Sequence, residues 1–431
     1  MTTAAPRPRQ PEQAATLDAD WAALLQAEAA SVLRHKAMGT FPLAPAQMTV
    51  PAADYTCPAL FEQERSRLFR RLPLLLAASA ELRAPGDFKT MHIAGVPVLV
   101  VRGRDGQARA FLNSCTHRGS PVAAGCGSAR RFVCPYHGWT FDAAGSLIGV
   151  ASPEDFGAVD KAAFGLRAFP TVERAGLVWA ILDPASPHDL GALLGGIDGV
   201  LGGFGLEHWS VVQSRAIAGP NWKLAFDAHL EFYHLPVLHR ESFGPDRSNR
   251  ALYFAYGPHQ RLISPRTRTD IPTHADLLAH DSGPGGAVDG EITRPIGTEA
   301  LLAGEWIVFP TVSINSFYPG GKRGIFLSQV FPGASVAESV TIQTYLAAQP
   351  PSDEDLQRIA ALCDVLGGAV ADEDIPTSFR QQQALASGLL GAVTFGRNEG
   401  GLQHFHRWIR AVVAAADEDL PALLGAPLTP A

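Results

Sequence analysis

The chain has 431 residues, 46% of them hydrophobic and 18% charged, with a formal net charge of -7. That balance fits two or three globular domains with large cores, and without any Lys/Arg-rich run it argues against a nucleic-acid or anionic-membrane surface. No apolar run is long enough to span a bilayer, and the N-terminus, MTTAAPRPRQPEQAATLDADW, lacks the apolar core of a secretory signal, so the cytoplasm is the expected compartment.

A polar, proline-containing tail leads into a predicted amphipathic helix, with Trp21, Leu24, Leu25, Ala29 and Val32 at helical spacing and Gly39 as its stop. From Val96 the texture changes. VPVLVV, an Asp105-Gly106 turn and ARAFLNS predict a β-hairpin; WTFD, a turn at Gly145 and SLIGV predict another. Residues 55–184 therefore read as a small, mostly β domain closing with GLVWAILDP. The glycine-rich GALLGGIDGVLGGFG that follows has no G-x-x-x-x-G-K-[ST] pattern and no clear strand ahead of it, so helix and loop between domains are expected there. Further on, NWKLAFDAHLEFYHLPVLH reads as helical. EWIVFPTVSINSFYPGGKRGIFLSQVF and SVTIQTYLA read as strands with a Pro-Gly-Gly turn. SDEDLQRIAALCDVL, capped by Ser352, and LQHFHRWIRAVVAA read as helices. There is no visible internal repeat, and the second domain is expected to be α+β, with helices on an antiparallel sheet.

The five cysteines, Cys57, Cys115, Cys126, Cys134 and Cys363, are few and odd in number, which argues against a disulfide scaffold and for metal binding by any that pair. CTHRG (Cys115 to Gly119) and CPYHGW (Cys134 to Trp139) each offer one cysteine and one histidine. Tetrahedral zinc accepts two thiolates and two imidazoles, but zinc boxes usually keep their cysteines together in one knuckle. One of each per box suits a two-iron, two-sulfide cluster, in which the cysteines hold one iron and the histidines the other. The Gly and Pro residues let these loops turn tightly and aim backbone N–H groups at the sulfides. Trp139 and Tyr136 are expected to cover the cluster, and Cys126 to be a buried structural cysteine.

Such a cluster only passes electrons, so the rest of the chain uses them or accompanies them. Glu231 and His234, three apart, are expected on one side of a helix. His239 lies five beyond His234, which on a regular helix is about 140° away. Pro236 between them disrupts helical hydrogen bonding, and a break there would re-aim His239 toward His234. Two imidazoles and one carboxylate with open positions make the ferrous facial triad that binds and activates O₂. His229 competes as a ligand, although a role facing a neighbouring helix or the substrate is the preferred reading. His404 and His406 are expected to be structural.

The two boxes resemble those of bacterial ring-hydroxylating oxygenases. The helical segment resembles the [D/E]-x-x-H-x-x-x-x-H motif, preceded by Asn-Trp-Lys, of Rieske non-haem iron oxygenase alpha subunits. Cluster domain, iron motif and C-terminal helices stand in that family's order. Respiratory Rieske proteins usually carry a further cysteine in each box, where this chain has Ser120 and Tyr136, so the lower-potential oxygenase branch is favoured. The resemblance implies that Cys115, His117, Cys134 and His137 hold a [2Fe-2S] cluster, and that His234, His239 and a distant aspartate ahead of a helix hold a mononuclear Fe(2+). In ADEDIPTSFRQQQ Asp374 fits best, with Asp372 and Glu373 as competitors and a solvated acidic helix start as the bland alternative. Glu231 takes the place of the carboxylate that bridges the two centres between adjacent subunits; many members have aspartate there. An asparagine often found near Asp227-Ala228 is absent.

The fold so implied is α+β: an N-terminal helical segment (1–54) packed on the catalytic domain, an all-β Rieske domain (55–184) and a helix-grip-type catalytic domain (185–431) with an antiparallel sheet and helices. The function implied is the terminal oxygenase component of a Rieske system, a mono- or dioxygenase drawing electrons from a separate NAD(P)H-dependent reductase, with or without a ferredoxin. A homotrimer, alone or with beta subunits, is implied as well. External electron partners are expected because the chain shows neither a dinucleotide fingerprint after a strand nor a plant-type ferredoxin pattern. Oxidative N- or O-demethylation and quaternary-amine monooxygenation are alternatives within the family; an electron carrier or redox sensor with a ligand-binding domain is the alternative outside it. EWIVFPTVSINSFY and GIFLSQVF carry Trp306, Ile307, Phe309, Ile314, Phe317, Ile325 and Phe326 but one acid, Glu305. An apolar aromatic or alicyclic substrate is therefore expected over a quaternary amine.

Overall fold

A computed structural model describes residues 17–245, 247–263, 287–288, 291–292, 296–317, 323–348 and 352–425. The expected Pro-Gly-Gly turn and the N-terminal tail lie outside them. The first helix spans Ala19–Met38, and Gly39 follows it with a φ of +64°, a conformation that costs glycine little. Its apolar stripe of Trp21, Leu25, Ala29 and Val32 is buried. Two polar ties fix it to the second domain. Trp21 Nε1 donates to the Gly196 carbonyl at 3.2 Å, and buried Glu28 accepts the Tyr256 hydroxyl at 2.6 Å and faces Arg261 at 3.3 Å.

Short helices follow at Ala53–Thr56 and Pro58–Glu64, continued by a π-helical turn at Arg65–Phe69, before the first strands of the β region. They are bonded forward: Tyr55 donates to Asp227 at 2.8 Å, and buried Glu64 accepts from Trp222 Nε1 at 2.8 Å and pairs with Lys223. The β region is a five-stranded sheet in the order Ala168–Phe169, Ala108–Leu112, Val96–Arg102, Asp87–Ile93, Cys126–Ser128, with two three-stranded sheets beside it. Both predicted hairpins are present, at Val96–Arg102 with Ala108–Leu112 and at Thr140–Asp142 with Leu147–Gly149. Cys126 corrects the reading above. It is exposed, because its strand lies at the edge of the sheet and pairs on one side only.

The second domain is built on a seven-stranded antiparallel sheet ordered Ser210–Gly219, Ser339–Ala347, Gly324–Pro332, Val312–Phe317, Glu305–Val308, His259–Ile263, Leu252–Tyr256. Every residue of Gly324–Pro332 is buried, so both faces of the sheet centre are covered. One face, with Trp306, Ile314, Ile325 and Leu327, joins the main core. The other carries Phe317, Phe326 and Tyr345, which pack with Cys363 and Ile359 of the helix Asp353–Gly368. Ser352 caps that helix as expected, accepting from the Asp355 N–H at 3.2 Å.

Candidate metal centres

The two Cys/His boxes fold into the same loop. The Gly119 N–H donates to the Cys115 carbonyl at 2.8 Å, and the Gly138 N–H to the Cys134 carbonyl at 3.0 Å. Both glycines sit at positive φ, +82° and +69°, where a side chain would strain the turn. The loops bring the His117 and His137 rings to 4.7 Å between centroids and bury both cysteines. The N–H groups of His117 and Arg118 face the Cys115 sulfur, and those of Tyr136 and His137 face Cys134. Burial opposes a Cys134 thiolate, but these donors, with Cys115 and Ser120, outweigh it and hold its pKa below the ordinary thiol value. Trp139 stacks on His117 at 5.0 Å and 13°; Tyr136 lies 3.8 Å over His137 yet is 55% exposed, so it covers only one side. His117 Nδ1 is buried without a hydrogen-bond partner among the described residues. Two thiols with aimed N–H donors beside two imidazoles, one with an orphaned nitrogen, fit a [2Fe-2S] cluster.

The expected helix around Glu231 is two pieces. Trp222–Asp227, capped by Asn221, ends before Glu231, and a second turn runs Leu235–Leu238. Pro236 does not break it; it lies in the first turn of the second piece, where its missing N–H costs nothing. The change of direction falls earlier, over residues 228–234. There Glu231 accepts the His234 N–H at 3.2 Å and the Tyr233 N–H as well, replacing helical partners with its own carboxylate. Glu231 and His234 thus meet through a turn and not across a helix face.

Opposite this turn stands a second π-helical stretch, Ala369–Asp374, joining Asp353–Gly368 to Ile375–Ala386. It delivers two consecutive acids to one imidazole. Asp374 Oδ1 is 3.2 Å from His239 Nε2 and 3.8 Å from His234 Nε2, and one ligand atom from each of the three lies within 4.8 Å of the others. Glu373 bonds the far nitrogen, His239 Nδ1, and accepts the Ser242 hydroxyl at 2.9 Å. Glu231 does the same for His234 Nδ1. With each Nδ1–H held by a carboxylate, both Nε2 lone pairs point at Asp374. Burial works against charge on either ring, yet Glu231 and Asp374 around His234, and Asp374 and Glu373 around His239, raise both histidine pKa values. Asp374 Oδ1 is itself buried with no hydrogen-bond partner among the described residues. An orphaned carboxylate oxygen between two imidazole acceptors is a donor set that fits a divalent metal such as Fe(2+). Asp372 is exposed and outside the group.

The other candidates separate cleanly. His229 faces Glu305 at 3.4 Å, while His404 bonds the Gly257 carbonyl and His406 bonds Asp227. The three grouped residues open onto a cavity of about 210 Å³, whose walls include Phe243, Phe317, Phe326 and Val370. Of the expected apolar wall, only Phe317 and Phe326 reach it. The strand period of two puts Ser313, Asn315 and Phe317 on the cavity side and turns Ile314 into the core. Sequence reasoning missed Glu373 as a histidine partner, having weighed it only as a ligand, and missed Ser242 and Arg247 altogether.

An all-β cluster-type domain feeding a helix-covered sheet that carries a two-histidine, one-carboxylate group defines a class, the Rieske non-haem iron proteins. Residues 73–169 match the Rieske [2Fe-2S] domain, and residues 206–415 the ring hydroxylating alpha subunit (catalytic domain). The chain belongs to the Rieske oxygenase alpha-subunit family. Its relatives include the carnitine monooxygenase oxygenase subunit of Escherichia coli (strain K12), 34% identical over 44% of this chain and 52% of the relative. Another is the chlorobenzene dioxygenase subunit alpha of Cupriavidus sp. (strain PS12), 36% identical over 40% of this chain and 39% of the relative. The matched part therefore spans about half or less of these curated relatives. In fold, the chain is similar to the quaternary ammonium Rieske monooxygenase CntA in complex with L-carnitine, with a TM-score of 0.67 and 20% identity over 84% of this chain and 95% of that one. It is similar as well to naphthalene 1,2-dioxygenase from Rhodococcus sp. bound to indole, with a TM-score of 0.65 and 22% identity over 93% of this chain and all of that one.

Proposed function

We propose that this chain is the terminal oxygenase component of a cytoplasmic Rieske system that hydroxylates an organic substrate, by mono- or dioxygenation, with O₂ and electrons from a separate NAD(P)H-dependent reductase. The observation that carries the reading is the unpartnered Asp374 Oδ1 set between His234 and His239 Nε2 at the floor of a cavity. An electron carrier has no use for that arrangement. Cys115, His117, Cys134 and His137 would hold the cluster, and His234, His239 and Asp374 the iron. Bound there, the cluster supplies single electrons and the iron, with positions left open, supplies O₂ activation. The protein's own part is to hold both imidazoles in one tautomer through Glu231 and Glu373, and to line the reaction space with Phe243, Phe317 and Phe326. An apolar aromatic or alicyclic body fits those walls. Demethylation or quaternary-amine oxidation is the second reading, favoured by the names of the carnitine and glycine betaine monooxygenase relatives.

Glu231 is proposed as the link between centres of adjacent subunits in a homotrimer, with or without beta subunits. Its support is its bond to His234 Nδ1 and the presence of Tyr233 and Val237 in the same segment of chain, 54% and 80% exposed. No helix among the described residues is long and apolar enough to cross a membrane. The function is tested by supplying reduced protein with isotopically labelled O₂ and a panel of aromatic, alicyclic and quaternary-amine compounds. Labelled oxygen in a product supports the reading, and cluster oxidation without any oxygenated product across the panel contradicts it.

A further inference from the structure

The cavity holds fixed charges of both signs, and among the described residues one of them has neither a charged partner nor a place in the proposed metal site. Glu305 accepts the Ser313 hydroxyl at 2.8 Å and faces His229 at 3.4 Å. Glu231 is bonded to His234, and Asp374 is aimed between the two histidines. The remaining charge is Arg247, half-buried in the cavity wall. Among the described residues no carboxylate pairs with it. Its one hydrogen bond to the described residues is a long one, from Nε to the Phe243 carbonyl at 3.4 Å, and its guanidinium lies 5.4 Å over the Phe243 ring. Burial lowers its pKa, with no neighbouring acid among the described residues to offset that cost. A desolvated cation left unpaired is unfavourable, and a planar fork of N–H donors is completed best by a planar anion.

Phe243 joins this cation to the proposed iron site. One side of its ring carries Arg247, and its centroid is 4.9 Å from that of His239. The guanidinium and the imidazole thus flank one aromatic ring and line the same cavity, so a carboxylate held at Arg247 keeps the rest of its molecule in the space onto which His239 opens. Phe317, Phe326 and Leu362 complete the apolar wall around that space.

We infer that the substrate bears a carboxylate on a ring-sized apolar body, and that Arg247 binds that carboxylate. The inference deepens the oxygenase reading and rests on this cavity being the reaction space. With Asp374 committed to the proposed iron, a substrate that is only a cation finds no free acid among the described residues, because Glu305 is already partnered.

The test is equilibrium binding by calorimetry to the full-length, iron-loaded protein, using benzoate with benzamide, phenylacetate with phenylacetamide, and choline as a cation without a carboxylate. The carboxylate of at least one pair binds more tightly than its amide, and choline does not bind. Arg247→Met removes that preference, weakening the carboxylate by on the order of ten- to a hundredfold while the amide moves little. Arg247→Lys, which keeps the charge without the fork, recovers part of it. Equal affinity within both pairs, no carboxylate binding at millimolar concentration, or carboxylate binding that survives Arg247→Met each overturns the inference. Carboxylate selectivity in a protein that holds no mononuclear iron would sink the oxygenase reading alone. Labelled product without carboxylate selectivity would sink this one alone.

Discussion

Asp374 and Glu373 are neighbours in sequence with the same formal charge, yet they touch opposite nitrogens of His239. That geometry separates their roles. Asp374→Asn removes the charge of the one carboxylate that the described residues place between the two Nε2 atoms, so mononuclear iron should be lost while the cluster stays. Glu373→Gln keeps a side chain beside His239 Nδ1 but gives up the charge that fixes the ring. Iron is still bound, with affinity lower by about ten- to a hundredfold, as loss of such outer partners typically costs. Titration of the metal-free variants with Fe(2+) or Co(2+) checks both; equal losses in the two variants would show that the acids are not so divided. Little of this division was legible in the sequence. ADEDIPTSF offers three acids in a row, and nothing in their spacing says which faces a histidine 134 residues away. The Cys/His boxes were far more readable, because all their donors lie within short loops whose glycines announce the turns.

The π-helical stretch Ala369–Asp374 is the element that makes this possible. On a regular helix consecutive residues are about 100° apart, and an inserted residue shifts everything after it by that angle. Deleting Ala371 lets the Asp353–Gly368 helix run on regularly and turns Asp374 away from His239. The variant is expected to stay brown and cooperative in thermal unfolding but to lose mononuclear iron; retained iron would show that the stretch does not set the aim of Asp374. The sequence does not display such a bulge, since Ala-Val-Ala-Asp-Glu-Asp reads as ordinary helix. The same limit explains the misplaced break near His234. Ala228, His229 and Leu230 contain neither Gly nor Pro, while Pro236 looks like a breaker and in fact starts a turn. The strands were easier to read, as β-branched and aromatic runs bounded by turns, but their facing was not. Which side of the sheet Ile314 and Asn315 take is decided by the helix that covers it.

Across the whole molecule, the cluster loops and the His/Asp group sit in different domains, each with its own apolar edge exposed: Tyr136 and Phe156 at one, Tyr233 and Val237 at the other. In the proposed trimer a head-to-tail contact between such unlike surfaces would close into a ring of copies. Val237→Asp would place a charge in that contact and leave the partly buried His234 and buried His239 unaltered, so it is expected to shift a trimer toward monomer in mass photometry without removing either metal. An unchanged assembly would place the interface elsewhere. The central claim, two separate metal sites on one chain, is tested most directly by iron quantification combined with the paramagnetic signal of the reduced protein, in wild type and His234→Ala. The wild type should hold about three irons per chain and show a Rieske-type signal. His234→Ala should fall to about two with the signal undiminished. Loss of the signal in His234→Ala, or an iron content equal to that of the wild type, would contradict the account.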